Sequence, residues 1–370
     1  MTYSKHVFAL MIVLLVMSCS GEFLNLSPVS SRNVDDFYGS EKELNQALAG
    51  IYSGLQSTQT TLAAQLMSEE RSDNSHQTQL LYDHHSILHF NTTGDNTQLE
   101  SIWTSLYSTI YDSNMFLENI EEVTFQDEDI KSRMIGEAKF IRALMYFDLV
   151  RYFGGVPTTT STLTIDEAFD KGRDTVEGVY EIILADLEDA VAKLPNSYTG
   201  EDVGRVTSHA ARALLGRVYI TRSGYPLETN EWEKTRDLLA KVIQSGQFEF
   251  FLNYDAIFDI SNDNGKQSVF AVQFNAEELG EGNPIPTRQA ARDINRSVVP
   301  SGGGPQQPFP TQNLIDSFEE GDVRLEQTIS LEPYLSRDGQ MIADDPWVKK
   351  FISGSPGPED TWSVNWMVIR

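Results

Sequence analysis

Three clusters in this 370-residue chain hold residue types that do chemistry. His84, His85 and His89 stand close together, and His85 and His89 are four apart, a spacing that places two imidazoles on one helical face as in a metal pair. No His-Glu-x-x-His frame accompanies them and the sequence offers no third ligand, so no metal site is expected. Glu69, Glu70 and Asp73 have the composition of a carboxylate pair for glycoside hydrolysis, one acid and one nucleophile or base. With 54 acidic residues in the chain, however, adjacent carboxylates arise by chance. Gly302, Gly303 and Gly304 lack the following Lys and Ser/Thr of a phosphate-cradling loop and open no helix. There is no Gly-x-Ser-x-Gly elbow and no cysteine nucleophile in the body of the chain. This lack of recognisable reaction chemistry favours a binding protein without a cofactor over an enzyme.

The one cysteine, Cys19, has a different setting. Lys5 gives a short basic start, and Val7 to Met17 is an unbroken apolar run of 11 residues. That is too short to span a bilayer as a helix but suits the core of a signal peptide. The run ends in Leu-Val-Met-Ser-Cys, with Leu15 four residues before Cys19 and small Ser18 just before it, which resembles a bacterial lipobox. Residues 1–18 are therefore expected to be a lipoprotein signal, with Cys19 acylated and holding the protein on a membrane without a spanning helix. A lone cysteine also excludes a disulfide framework and a Cys-rich zinc site. Lys and Arg total 28 against 54 Asp and Glu, a net charge of −26. The acidic excess is spread along the chain, so it reads as surface charge, and it argues against nucleic acid because nothing here neutralises a run of phosphates.

Helices must position whatever the chain binds. Ser40, with Glu43 three residues on, caps a helix carrying Leu44, Leu48, Ile51 and Leu55 on one side. Residues 57–96 are polar, rich in Ser, Thr, Gln, Asn, Asp and His, and lack a sustained period, so they read as a loop-rich excursion. Helical stripes return over 98–122, 134–153, about 174–193, about 207–222 and about 231–245. The strongest is 134–157, where Ile135, Ala138, Ile141, Leu144, Met145, Leu149 and Tyr152 recur three and four apart. Gly154, Gly155 and Pro157 then stop it. Its other face holds Glu137, Lys139, Arg142, Asp148 and Arg151, while Phe140, Tyr146 and Phe147 widen the apolar band, so it must pack on more than one side. Past residue 247 the texture changes. Residues 268–275 are the best strand candidate, and 276–312 are broken by Gly and Pro.

The order of residues in 134–157 resembles the signature helix of the SusD/RagB family, through Glu137, Ala138, Phe140, Arg142, Ala143, Tyr146, Phe147, Gly154, Val156 and Pro157. Trp103, Tyr107, Ile110 and Asn114 are similar to a second landmark of that family. Pro310, Thr311, Leu314, Ile315, Phe318, Glu319, Asp322 and Arg324 are similar to a third. The resemblance implies a mainly α fold of tetratricopeptide-like helical pairs with a loop-rich, partly β second part. It implies a signal over 1–18, a helical region over 19–230 and an incomplete C-terminal region over 231–370. In the family an arginine similar to Arg370 is followed by further helices, so the chain reads as cut short there.

By the same resemblance the protein is a surface-exposed outer-membrane lipoprotein that binds glycans or oligosaccharides and delivers them to a SusC-like TonB-dependent transporter. A RagB-type peptide or protein binder and a glycan-degrading enzyme are the alternatives. The expected ligand contacts are Asp73, Asn74, Tyr82, His84, Arg288, Arg292 and Asn295, since amides, carboxylates and rings suit sugar hydroxyls and pyranose faces. Cys19→Ser is expected to move the protein from the membrane fraction to the soluble fraction, which cell fractionation with fatty-acid labelling checks.

Overall fold

The computed structural model describes residues 38–77, 82–277, 281–290, 308–332, 334–335, 341–343, 346–352 and 362–370. Cys19 lies outside the described residues. Six long helices form the body: α1 (Glu41–Gln59), α2 (Thr97–Asn119), α3 (Glu128–Phe153), α4 (Val176–Lys193), α5 (Ser208–Arg222) and α6 (Trp232–Gln244). Five of them start at a residue whose side-chain oxygen takes an otherwise unpaired backbone N–H: Ser40, Asn96, Asp127, Thr175 and Thr207. Asp127 lies ahead of a polar first turn, so α3 begins six residues before the apolar stripe that announces it. No helix among the described residues is long and apolar enough to cross a membrane.

Contacts between helices fix their directions. Asn114 lies beside Arg142 and Trp103 beside Phe153, so α2 and α3 are antiparallel. Lys139 meets Asp189 and Arg142 meets Asp186, which sets α4 antiparallel to α3. Ser208 bonds the Val191 carbonyl while Arg222 lies over the Tyr180 ring, and the same reversal holds for α5 on α4. Gly216 faces Leu239 and Arg222 pairs with Glu231, which orients α6 on α5. A methyl group on Gly216 would sit 2.9 Å from a Leu239 side-chain carbon, so the bare backbone permits this close approach. The array of successive antiparallel helices is the arrangement expected of tetratricopeptide-like pairs.

From Met134 to Val150 every residue of α3 except Lys139 is buried. The polar face read from the sequence is therefore largely interior, and its charges are answered there. Arg142 donates two bonds of 2.8 Å to the two oxygens of Asp186 and one of 2.7 Å to Asn114 Oδ1. Glu137, fully buried, accepts from Tyr52 Oη at 2.7 Å, Arg133 at 2.6 Å and Arg205 at 3.1 Å. Asp148 accepts from Gln59 at 2.6 Å. Buried charge survives only with such partners. Between them the rings of Phe140, Tyr146 and Phe147 are buried, each worth about 1.5–3 kcal/mol by area.

At the end of α3 the chain reverses tightly. Gly154 takes φ +71°, and a Cβ on Gly155 would lie 2.3 Å from the Asp174 carbonyl oxygen, so neither position suits a side chain. The segment beyond is held by hydroxyls and amides from α2 and α3. Tyr107 Oη donates to the Pro157 carbonyl at 2.6 Å, Tyr146 Oη to that of Thr159 at 2.8 Å, and Asn114 to that of Ser161 at 3.0 Å.

The second part is sparse in regular structure. The strands form antiparallel two-stranded pieces: β1 (Ser75–His76), from the helical part, with β3 (Phe309–Pro310), and within the second part β2 (Phe270–Val272) with β8 (Trp366–Ile369), β4 (Ile329–Ser330) with β7 (Trp347–Val348), and β5 (Tyr334–Leu335) with β6 (Met341–Ala343). The strand read over 268–275 is thus confined to three residues. Phe270, Val272 and Ile369 join the helical core, and the Phe270 ring meets Phe140 edge-on at 5.2 Å, so this piece ties the second part to α3.

Asp186→Ala leaves the Arg142 guanidinium buried and unpaired and is expected to destabilise the fold by about 3–5 kcal/mol. Lys139→Ala, at a half-exposed pair, is expected to cost less than about 1 kcal/mol. Urea denaturation of the two variants against the parent protein checks the contrast.

Candidate functional site

The excursion after α1 is more ordered than its composition suggests. Thr61 caps a short helix, Leu62–Gln65, which runs into a turn of π-helix, Leu66–Glu70. A second helix, Tyr82–Leu88, is tied to the start of α2, because Asn96 donates to the Asp83 carbonyl and to Ser86 Oγ, both at 2.8 Å. Leu66, Met67 and Ile87 form a small apolar cluster beneath, backed by Leu62, Leu88, Leu99 and Tyr152. A turn of π-helix is uncommon and is found frequently at functional positions. Here it turns Glu70 inward.

Glu70 is 3% exposed. The Gln77 amide donates to one of its oxygens, and Arg288 lies close enough for its charge to act on it. Arg288, on the short helix Ile285–Gln289, donates to the Thr60 carbonyl at 2.6 Å. That helix is itself fixed through Asn283, which accepts from the Ile285 N–H at 2.9 Å and pairs backbone to backbone with buried Trp362. Burial pushes the Glu70 carboxyl up to about 7; Gln77 and Arg288 pull against that, and the charge of Glu69 adds to it. The other Glu70 oxygen, both amide atoms of Gln65 and the Ser75 hydroxyl are buried without a hydrogen-bond partner.

Pairing of β1 with β3 draws a distant stretch onto the same edge. Thr311 donates through its N–H to the Asn74 carbonyl at 2.9 Å and through its hydroxyl to that of Asp73 at 2.7 Å. This leaves the side chains of Asp73 and Asn74 exposed. The exposed His76 ring lies 5.7 Å from Phe309. On the adjoining helix, the exposed rings of His85 and His89 are 4.1 Å apart. Beyond it the Arg71 guanidinium rests 4.7 Å above the Phe90 ring, which is 68% exposed.

Of the sequence-derived contacts, Asp73 and Asn74 stand at this solvent-facing edge, and Arg288 reaches it from below through Glu70. Tyr82 opens the helix Tyr82–Leu88. His84 is 1% exposed, and burial holds its imidazole below the usual histidine range while Asp83 opposes. Arg292 and Asn295 lie outside the described residues. Arg71, His76, Phe90 and Phe309 were missed. Their relation depends on a cross-strand pairing and a ring stack between residues far apart in sequence, and only the isolated Phe after a histidine-rich helix hints at it. The His85–His89 pair finds no further ligand, and among the described residues no three His, Cys, Asp or Glu gather to hold a metal.

A second ring-bearing hollow, about 310 Å³ in volume, opens on the far side of β8, lined by Tyr254, Phe258, Asp263, Lys350, Phe351 and Trp366. Of the two cations lining it, Lys350 and Arg370, the Lys350 ammonium lies 4.8 Å from the Phe351 ring centre.

The helical array, the charges buried in α3 and the loop-borne edge can be set beside known proteins. A SusD-like family model, described as starch-binding and associating with the outer membrane, matches residues 22–220, more than half of the chain. The chain belongs to the SusD-like family. A SusD-like protein of Formosa agariphila is 25% identical over 281 residues, covering 73% of this chain and 52% of the relative. The chain spans about half the length of the curated SusD-like proteins it matches. A SusD homologue from Bacteroides thetaiotaomicron superposes with a TM-score of 0.78 at 21% identity, covering 91% of this chain and 72% of that one. Surface glycan-binding protein A of the same organism, solved with laminarihexaose, gives 0.76 at 15% identity, covering 90% and 76%. At such identities the superpositions establish the SusD-like fold.

Glu70 generates a pH-dependent prediction. In the unfolded chain its carboxyl ionises near 4.5, whereas in the folded protein it holds its proton up to about 7. The folded state therefore binds more protons between those values, and stability falls as pH rises through that window. The loss is on the order of 3 kcal/mol when complete. Glu70→Gln is expected to abolish this component, so the advantage of the variant in urea titrations should grow from pH 5 to pH 8.

Proposed function

We propose that this chain is a glycan-capturing lipoprotein of the bacterial cell surface. It is held on the outer membrane through Cys19, binds oligosaccharide on its loop-borne edge and delivers it to a SusC-like TonB-dependent transporter. The observation that carries this reading is the match over residues 22–220 to a family described as starch-binding and associating with the outer membrane. Residues 19–230 then form the helical scaffold and 231–370 the loop-rich, partly β second part that completes the binding face. The laminarihexaose complex of the B. thetaiotaomicron glycan-binding protein supports a sugar as the class of ligand.

Capture on such a face requires rings for pyranose surfaces and amides or carboxylates for hydroxyls. The exposed Asp73 and Asn74, with the exposed ring of His76 beside them, supply both kinds of group, and buried Phe309 backs that ring. Arg288 supports the same edge through Glu70, buried His84 sits in the adjoining helix, and Tyr82, Arg292 and Asn295 are proposed to extend it. Each contact is weak, so retention comes from several at once, and release into the transporter remains feasible. The chain acts by binding rather than by cleaving.

Incubation of the purified full chain with maltoheptaose, laminarihexaose and a peptide library, followed by pull-down and mass spectrometry, tests the reading. Retained oligosaccharide of unchanged length is the expected result. Retention of peptide without glycan, or the appearance of shortened sugar chains, would overturn it.

A further inference from the structure

Phe90 occupies a position that its backbone disfavours. The helix Tyr82–Leu88 closes with the Asn91 N–H donating to the Ser86 carbonyl at 2.9 Å and the Phe90 N–H to that of Ile87 at 3.2 Å. These paired bonds mark a helix end whose next residue is left-handed and most often glycine. Phe90 takes that place at φ +57°, a conformation strained for a bulky residue. Burial does not compensate, because the ring is 68% exposed. What the ring carries is Arg71, 4.7 Å above it. One Arg71 nitrogen lies 3.7 Å from the Met67 sulfur, and among the described residues no carboxylate forms an ion pair with it, although Glu69 and Asp73 flank it in sequence. In a chain of net charge −26, this guanidinium rests on a strained, exposed ring instead of a carboxylate. Next to Phe90, His89 stacks with His85 at 4.1 Å, and both rings are open to solvent.

We propose that Arg71, Phe90, His85 and His89 form a subsite for a negatively charged sugar, a uronate or a sulfated residue. The sugar lays its apolar face on Phe90, and its carboxylate or sulfate takes charge-assisted bonds from the free N–H edge of Arg71, with the imidazoles as neighbouring donors. The inference rests on the glycan-binding reading above and assigns the class of sugar. The acidic surface as a whole repels polyanions, so their retention requires a local cationic site of this kind.

The test pairs polymers that differ in charge alone: polygalacturonate with its methyl ester, and dextran sulfate with dextran, each in affinity electrophoresis with the full chain in detergent. A charged member is expected to bind about tenfold or more tighter than its neutral counterpart. Phe90→Gly and Arg71→Gln are each expected to remove about tenfold of that affinity. Because glycine relieves the left-handed strain, Phe90→Gly should melt at the same temperature as the parent or higher, which separates lost binding from lost folding. Equal binding of charged and neutral partners, no retention of either charged polymer, or variants that bind like the parent would overturn the subsite. If laminarihexaose or maltoheptaose is still captured in that case, the glycan-binding reading stands; if no sugar is held at all, both fall.

Discussion

Three helices meet at one guanidinium. Arg142 is 4% exposed, and its planar fork is satisfied only while Asp186 of α4 offers two oxygens and Asn114 of α2 a third. An ammonium would tolerate several placements of its partner; a bidentate pair tolerates one. A slip of α4 by a single turn would carry Asp186 about 5.4 Å along its axis and leave a charge stranded in the core. The interaction therefore fixes register more than it adds stability, since a buried ion pair gains little over well-packed hydrocarbon. Glu137 acts in the same way one turn earlier, joining α1 through Tyr52 and the approach to α5 through Arg205.

Much of this architecture was legible in the sequence, and the departures have physical causes. Apolar spacing announced α1, α2, α4 and α6 to within a few residues, because those helices each have one dry side, and it placed α5 as closely although that helix is buried on most of its surface. The interior of α3 was harder to read. Periodicity treats Glu137, Arg142 and Asp148 as an outward face, yet Tyr52, Asp186 and Gln59, which receive them from neighbouring elements, lie 85, 44 and 89 residues away, and such pairings leave no local trace. The polar stretch after α1 read as loop because its order comes from side-chain caps at Thr61 and Asn96, with only a small apolar cluster beneath.

The candidate edge was legible in outline only. Asp73 and Asn74 come from the polar stretch 57–96 and Arg288 from the Gly- and Pro-broken one, and the β1–β3 pairing and Glu70 bring those stretches together. The rings that face outward were not foreseen. A phenylalanine after a helix is ordinarily read as core, and its left-handed backbone appears only once the closing hydrogen bonds are seen. Family membership identifies the scaffold, whereas chemistry on the loops decides what is held.

Most helices of the array touch chiefly the one before and the one after. Disturbance at a tip is therefore absorbed locally and fades before it reaches the opposite end. A rim mounted this way can be rewritten a few residues at a time while the inner scaffold goes on folding as before.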